Sequence, residues 1–133
     1  MTIKVVYNAG FGGFSISRAC VERMAELGNQ EAKEMLADPE TYPMFCGYDF
    51  CGYLHNTPRH DPVLVQAVEG LGENASGGSA SLCVRELSGN RYIINEYDGK
   101  ESVVEPDDIK WTIVNKKNVN KTDDRTSLME LKV

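Results

Sequence analysis

The glycine pair Gly77-Gly78 divides the chain into two stretches of different period. Before it, apolar residues recur at three- and four-residue intervals; after it, short β-branched and aromatic runs alternate with turn residues. A chain in that order has to lay an antiparallel sheet against a helical layer, because neither part can bury its apolar face alone. The expected fold class is α+β.

Within the first stretch, Thr2 to Tyr7 is rich in β-branched residues and predicts a strand near 2–7, which stops at Asn8. Ser15 or Ser17 offers an N-cap, and Ile16, Cys20, Met24 and Leu27 mark a helix near 15–28 that Gly28 ends. A second short helical run opens at Asn29 with Ala32, Met35 and Leu36 on its apolar side, and is expected to face solvent. Asp61-Pro62 pairs an N-cap acceptor with proline at the first helical position. The helix that follows, near 61–75, carries Leu64, Val65, Val68 and Leu71 on one stripe.

Beyond Gly78, strands are expected near 80–87, 91–97, 101–104 and 110–114. Ser88-Gly89-Asn90 and Asp98-Gly99 stand where hairpin turns are needed, so the expectation is an antiparallel meander. Pro39 to Pro58 shows neither period and reads as an ordered loop packed by Tyr42, Phe45, Tyr48, Phe50 and Tyr53. The tetrads Phe45-Cys46-Gly47-Tyr48 and Phe50-Cys51-Gly52-Tyr53 duplicate one another within it. A length of 133 residues suits one core rather than two. The division expected is a single domain over 1–115 and a polar tail over 116–133, whose Leu128-Met129-Glu130-Leu131 would dock in an oligomer.

A formal net charge of -6 removes the cationic surplus that supplies affinity for duplex nucleic acid. A small anion remains compatible with it, since a few local donors suffice. The opening residues are too short and too β-rich for a signal peptide or a membrane span, and the four cysteines then read as reduced thiols of a cytoplasmic protein. No membrane partner is expected.

Four motifs occur in order: Phe11-Gly12-Gly13-Phe14-Ser15-Ile16-Ser17, Arg59-His60-Asp61-Pro62, Glu69-Gly70-Leu71-Gly72-Glu73-Asn74-Ala75-Ser76-Gly77, and Tyr92-Ile93-Ile94-Asn95-Glu96-Tyr97-Asp98-Gly99-Lys100-Glu101. With them the chain resembles a family of small, mostly uncharacterised proteins of phages and giant viruses, over residues 3 to 114. It departs from that pattern at Ile109-Lys110-Trp111, where the family carries an Arg-Thr-Trp-like end, and in the Phe45 to Tyr53 insert, which most members lack. The resemblance implies a viral origin and action in the host cytoplasm. By analogy with phage Thoeris anti-defence proteins, it also suggests a sponge that traps a nucleotide-derived signal of host immunity.

The residues compatible with such a ligand are Asn8, Phe11, Gly12, Phe14, Arg18, Arg59, His60, Tyr97 and Asp98. Glycines between aromatics let backbone approach a ligand while a ring stacks on a base, and the helix start beyond them offers free N–H groups. The same glycines also serve a plain strand-to-helix turn, and Asp61 is explained by capping alone. Cys46, Cys51, His55 and His60 have zinc-ligand chemistry, but the interval from Cys51 to His55 leaves no helix to present the histidines. Packing of two thiols in an aromatic cluster is the plainer account, and no cofactor or metal is expected.

Three functions follow in order. The first is a self-associating, non-enzymatic binding protein for a small nucleotide-like ligand. The second is a protein–protein inhibitor or structural accessory acting through exposed aromatics. The third is a small hydrolase using Cys51 with His55 or His60.

Overall fold

The computed structural model describes residues 2–38, 45–46, 49–50 and 52–115, with only the backbone of the two short pieces between 45 and 50. The fold is α+β. In chain order it runs β1 (Lys4–Asn8), α1 (Arg18–Glu26), α2 (Gln30–Ala37), β2 (Phe45–Cys46), β3 (Asp49–Phe50), α3 (Pro62–Leu71), β4 (Leu82–Glu86), β5 (Ile93–Tyr97) and β6 (Lys100–Val104). Single 3-10 turns follow α3 at Gly72–Ala75 and β6 at Pro106–Asp108.

Each helix begins and ends where local chemistry dictates. Ser17 caps α1 by accepting from the Cys20 N–H at 3.1 Å. At the other end Gly28 takes φ +102°, so that its own N–H reaches Ala25 O at 3.1 Å and the Asn29 N–H reaches Met24 O at 2.9 Å. Those two bonds satisfy carbonyls that the last turn would otherwise strand. Asn29 then caps α2, accepting from Ala32 N–H at 2.8 Å, so α1 and α2 pack as a tight pair. Asp61 accepts from both Val63 and Leu64 N–H at 3.1 Å, and Pro62 needs no partner at the first position of α3.

Contrary to expectation, α2 does not face solvent: Glu31, Ala32 and Met35 are buried. The Glu31 carboxylate explains why a charged residue sits inside. It accepts the backbone N–H groups of His55 at 2.7 Å, Asn56 at 3.0 Å and Thr57 at 3.0 Å, and thereby holds the approach to α3. Burial works to raise its pKa, but these donors outweigh it and hold the carboxyl below the usual range.

The sheet differs from the expected meander. β1 pairs antiparallel with β4, Lys4 opposite Glu86 through Asn8 opposite Leu82, while β5 pairs with β6, Ile93 opposite Val104 through Tyr97 opposite Lys100. β4 and β5 are not hydrogen-bonded to each other. The reason lies in Glu105, whose buried carboxylate accepts Ser88 N–H at 3.0 Å, Ser88 Oγ–H at 3.0 Å and Gly89 N–H at 3.2 Å. The turn after β4 is thereby tied to the end of β6 instead of folding β5 back on β4. Asp98-Gly99 does form the expected hairpin, with φ +52° and +86° at its two central residues, a type I′ turn.

No strand forms at 110–114; residues 111–115 are irregular and exposed. A β-rich sequence alone makes no strand; it needs a partner strand in register. Between Pro39 and Pro58, β2 and β3 make a two-residue ladder, Phe45 opposite Phe50 and Cys46 opposite Asp49. The aromatic packing expected around Tyr42 and Tyr48, and the docking expected of 116–133, fall outside the described residues.

β1 lies between two apolar clusters. Val6 joins Ile16, Val21, Met24, Met35, Leu64 and Val68 on the helical side, where Leu82 and Val84 of β4 also pack. Val5 turns the other way, to Leu87 and Val103, joined by Ile3, Tyr7, Tyr92 and Ile94. The order is therefore helices, then β1–β4, then the β5–β6 hairpin. Among the described residues no helix is long and apolar enough to cross a membrane.

Candidate functional site

Where the hairpin meets the rest of the fold, the chain gathers most of the residues singled out from sequence. Asn8, fully buried at the end of β1, donates its side-chain amide to Gly10 O at 2.9 Å and Gly99 O at 2.8 Å. Its Oδ1 accepts from Gly10 N–H at 3.1 Å and Ser81 N–H at 2.8 Å. One side chain thus joins the glycine loop, the start of β4 and the hairpin turn. It is satisfied on every side.

The Asn8 backbone N–H donates to Glu101 Oε1 at 2.9 Å, and Glu101 meets Arg59 in a two-pronged ion pair of 2.6 and 2.9 Å. The guanidinium carbon of Arg59 also stands 3.5 Å over the Phe14 ring, a stacked cation–π arrangement. Arg59, expected as an anion contact, is therefore held by a carboxylate of its own chain. Removing either partner leaves a partly buried charge without its counterpart.

Gly12 and Gly99 mark close backbone approaches. A Cβ on Gly12 would collide with Ser79, and one on Gly99 would collide with Phe11 O and Gly13 N. The glycines in the Phe11 to Phe14 motif thus let the loop lie between Ser79 and the Asp98-Gly99 turn. This is the close-packing role of the motif. What faces outward there is side chain: Phe11 is 61% exposed and Tyr97 79%, with Lys100 Nζ 5.3 Å from the centre of the Phe11 ring.

Two candidates take other positions. Arg18, exposed on α1, pairs with Glu22 at 3.3 Å one turn along. His60 Nδ1 lies 2.8 Å from Tyr92 Oη, the rings edge to face at 5.7 Å. Burial raises the Tyr92 pKa against the opposing pull of Arg59. Asp98 serves the turn through its positive φ, and its side chain makes no described bond.

The zinc and hydrolase candidates are only partly placed. The side chains of Cys46 and Cys51 lie outside the described residues; His55 is exposed, with its backbone N–H on Glu31, and His60 is engaged with Tyr92. Among the described residues no three His, Cys, Asp or Glu side chains gather around a common point. Of the described thiols, Cys20 is buried and its pKa is pushed up to about 12, which suppresses the thiolate a nucleophile needs.

Sequence reasoning missed the acidic partners. Glu101 stood out in the sequence only as the end of a motif, and Glu31 and Glu105 drew no attention. Glu105 organises a second network: Arg85 reaches it at 3.2 Å and Asp108 at 2.9 Å, and Asp108 accepts the Glu105 N–H at 2.9 Å. Burial opposes ionisation of Glu105, but donation from Ser88 and Gly89 and the charge of Arg85 prevail and lower its pKa. The Glu105 N–H first, then Arg85, lowers that of Asp108. The one signal in the sequence was placement: Glu101 and Glu105 flank the β-branched pair Val103-Val104.

An apolar surface runs along the outer side of the hairpin. A groove of about 290 Å3 lies among Tyr92, Ile93, Val104, Ile109 and Trp111. Ile93 is 55% exposed, Trp111 74% and Ile113 90%. A second cleft, about 420 Å3, opens between the start of β1 and α3, lined by Ile3, Lys4, His60, Val65 and Glu69. Compared with known protein families, curated proteins and solved structures, the chain has no match.

Proposed function

We propose that this chain is a non-enzymatic binding protein that takes up a polypeptide partner on the outer face of the β5–β6 hairpin and the Ile109–Val114 segment beside it. The observation that carries this reading is the exposure of Ile93 and Trp111 in one groove on the outer side of the hairpin, with Tyr97 exposed on the same face of β5 and Ile113 exposed two residues beyond Trp111. Large apolar side chains in a contiguous patch favour association, and Trp and Tyr are the residues that most often dominate binding energy. Arg18, Arg23, Arg59 and Arg85 are each engaged with carboxylates of the chain itself, while Arg91 lines the groove. A photo-crosslinking residue in place of Ile113 should trap one defined polypeptide. Adding Trp111→Ser with Ile93→Ser should abolish trapping while the circular dichroism spectrum is kept. Undiminished trapping by that double variant would overturn the reading.

A second reading rests on Lys100. Its ammonium lies by the Phe11 ring, next to exposed Tyr97, an arrangement suited to an anion bearing an aromatic base. Sequestration of a nucleotide-derived signal, as the viral resemblance suggests, would use this spot. Its test is the thermal shift produced by mono- and cyclic dinucleotides, which should vanish in Lys100→Ala.

A further inference from the structure

We infer that a second copy of this chain pairs with the outer edge of β5, giving a four-stranded antiparallel sheet across a two-fold axis at Asn95. β5 is an edge strand, hydrogen-bonded only to β6 among the described residues. Among the described residues, β1, β4 and β6 each have outward groups already engaged. The Val6 N–H of β1 donates to Arg59 O at 2.9 Å, the Asn8 N–H to Glu101, the Leu82 N–H of β4 to Ser76 Oγ at 2.9 Å, and Val103 O of β6 accepts from Arg85. β5 carries no proline or lysine and shows no bulge in its register, the usual devices that keep an edge from pairing. Its one charge, Glu96, is folded back onto the Gly99 N–H at 2.7 Å.

The turn decides which backbone groups are free. In a two-residue type I′ hairpin the flanking residues, Tyr97 and Lys100, form the hydrogen-bonded pair, and such pairs alternate along the ladder. Tyr97, Asn95 and Ile93 therefore spend their N–H and C=O groups on β6. Ile94 and Glu96 point theirs outward. The acceptance of an Arg85 hydrogen bond by Val103 O, on the far edge of β6, agrees with that phase.

Three antiparallel registers bring outward groups together. Centring on Glu96 sets it against its own copy, and like charges directly opposite destabilise a ladder. Centring on Ile94 runs the pairing past the strand into Arg91 and Tyr92, and Tyr92 is tied to His60. Centring on Asn95 pairs all five residues: Ile94 with the partner's Glu96, and on the outer face Ile93 with the partner's Tyr97. That outer pair is β-branched against aromatic, twice, with the two Asn95 amides between them. The strand is complementary to itself in this register alone. Because the contact is the same on both copies, it closes as a dimer and does not propagate.

Sedimentation of the full-length chain across a concentration series should show twice the chain mass at the upper end. Asn95→Lys, which sets two ammonium groups face to face on the axis, should raise the dimer dissociation constant by roughly tenfold or more. Mixing Asn95→Lys with Asn95→Glu should restore a dimer that neither forms alone. Ser102→Lys, on the same face but on the far strand, should leave dimerisation unchanged and so reports on general loss of fold. A monomeric parent chain, a dimeric Asn95→Lys variant, failure of the mixture to pair, or equal loss in Ser102→Lys would each overturn the inference. Because Ile93 belongs to both contacts, the two readings are separated by Asn95→Lys, read by mass, and Trp111→Ser alone, read by partner capture.

Discussion

Three backbone N–H groups converge on the Glu31 carboxylate in a buried position, and among the described residues no cation pairs with it. Such a site depends on the charge of the acceptor, because hydrogen bonds to an ionised group are worth about 1.5–3 kcal/mol where neutral ones are worth about 1. Glu31→Gln should therefore lower stability by about 2 kcal/mol in denaturant titration, with the slope unchanged. The same residue sets an acid limit. Glu31, Glu105 and Asp108 have pKa values below those of the unfolded chain, so their contribution is complete above the ordinary carboxylate range. It is lost as pH falls through their lower folded values. The melting temperature should accordingly be flat near neutrality and drop below about pH 4.5, and the drop should be shallower in Glu31→Gln. Nothing in the one-dimensional pattern marked Glu31, since its donors lie more than twenty residues along the chain. A helix-opening glutamate and a buried anchor look alike until the chain returns.

At the level of elements, punctuation was legible and pairing was not. Asp61-Pro62 started α3 as read, and Asp61→Ala should cost about 1 kcal/mol, measurable as a shift in denaturation midpoint. Asp98-Gly99 likewise made its turn, because positive φ is a local demand that local residues announce. Ser88-Gly89-Asn90 looked similar and behaved otherwise, since a distant carboxylate, Glu105, took its N–H groups. The Gly12 and Gly99 approaches belong to the same scale. Gly12→Ala should disturb the packing of the loop on Ser79 and cost about 1–3 kcal/mol, whereas Gly70→Ala, with open space around it and a helical backbone, should be neutral or slightly stabilising.

Across the whole molecule, the hairpin is a layer attached to the β1–β4 pair by a small apolar cluster and by hydrogen bonds from Asn8 and Arg85, and to the start of α3 by the Arg59–Glu101 pair. Glu101→Gln breaks the ionic part only. Hydrogen exchange should then quicken in residues 93–104 while α1 and α3 keep their protection, because those helices belong to the other cluster. Uniform acceleration would mean that the layers open together. This arrangement also explains how far the site was readable. The sequence drew attention to Asn8, Phe11, Gly12, Phe14, Arg59 and the Tyr97-Asp98 turn because of their unusual residue types, and the fold does assemble them. The inward atoms of most of them are spent on one another, while Phe11, Tyr97, Asp98 and Lys100 remain turned outward; whether a residue's polar atoms are already taken depends on partners that spacing does not reveal.

The Glu31 anchor bears on one more property, the tolerance of the chain to splicing. α2 ends at Ala37, while Gly52 exchanges two backbone hydrogen bonds with Ile16, at 2.8 and 2.9 Å, and residues 55–57 are held by Glu31. The return of the chain at residues 52–57 is thus fixed by bonds to Ile16 and Glu31 that do not depend on the sequence between Asp38 and Gly52. Loop-closure entropy grows only slowly with length. Lengthening the connection between those fixed points should therefore cost the fold little, read as a small shift in denaturation midpoint.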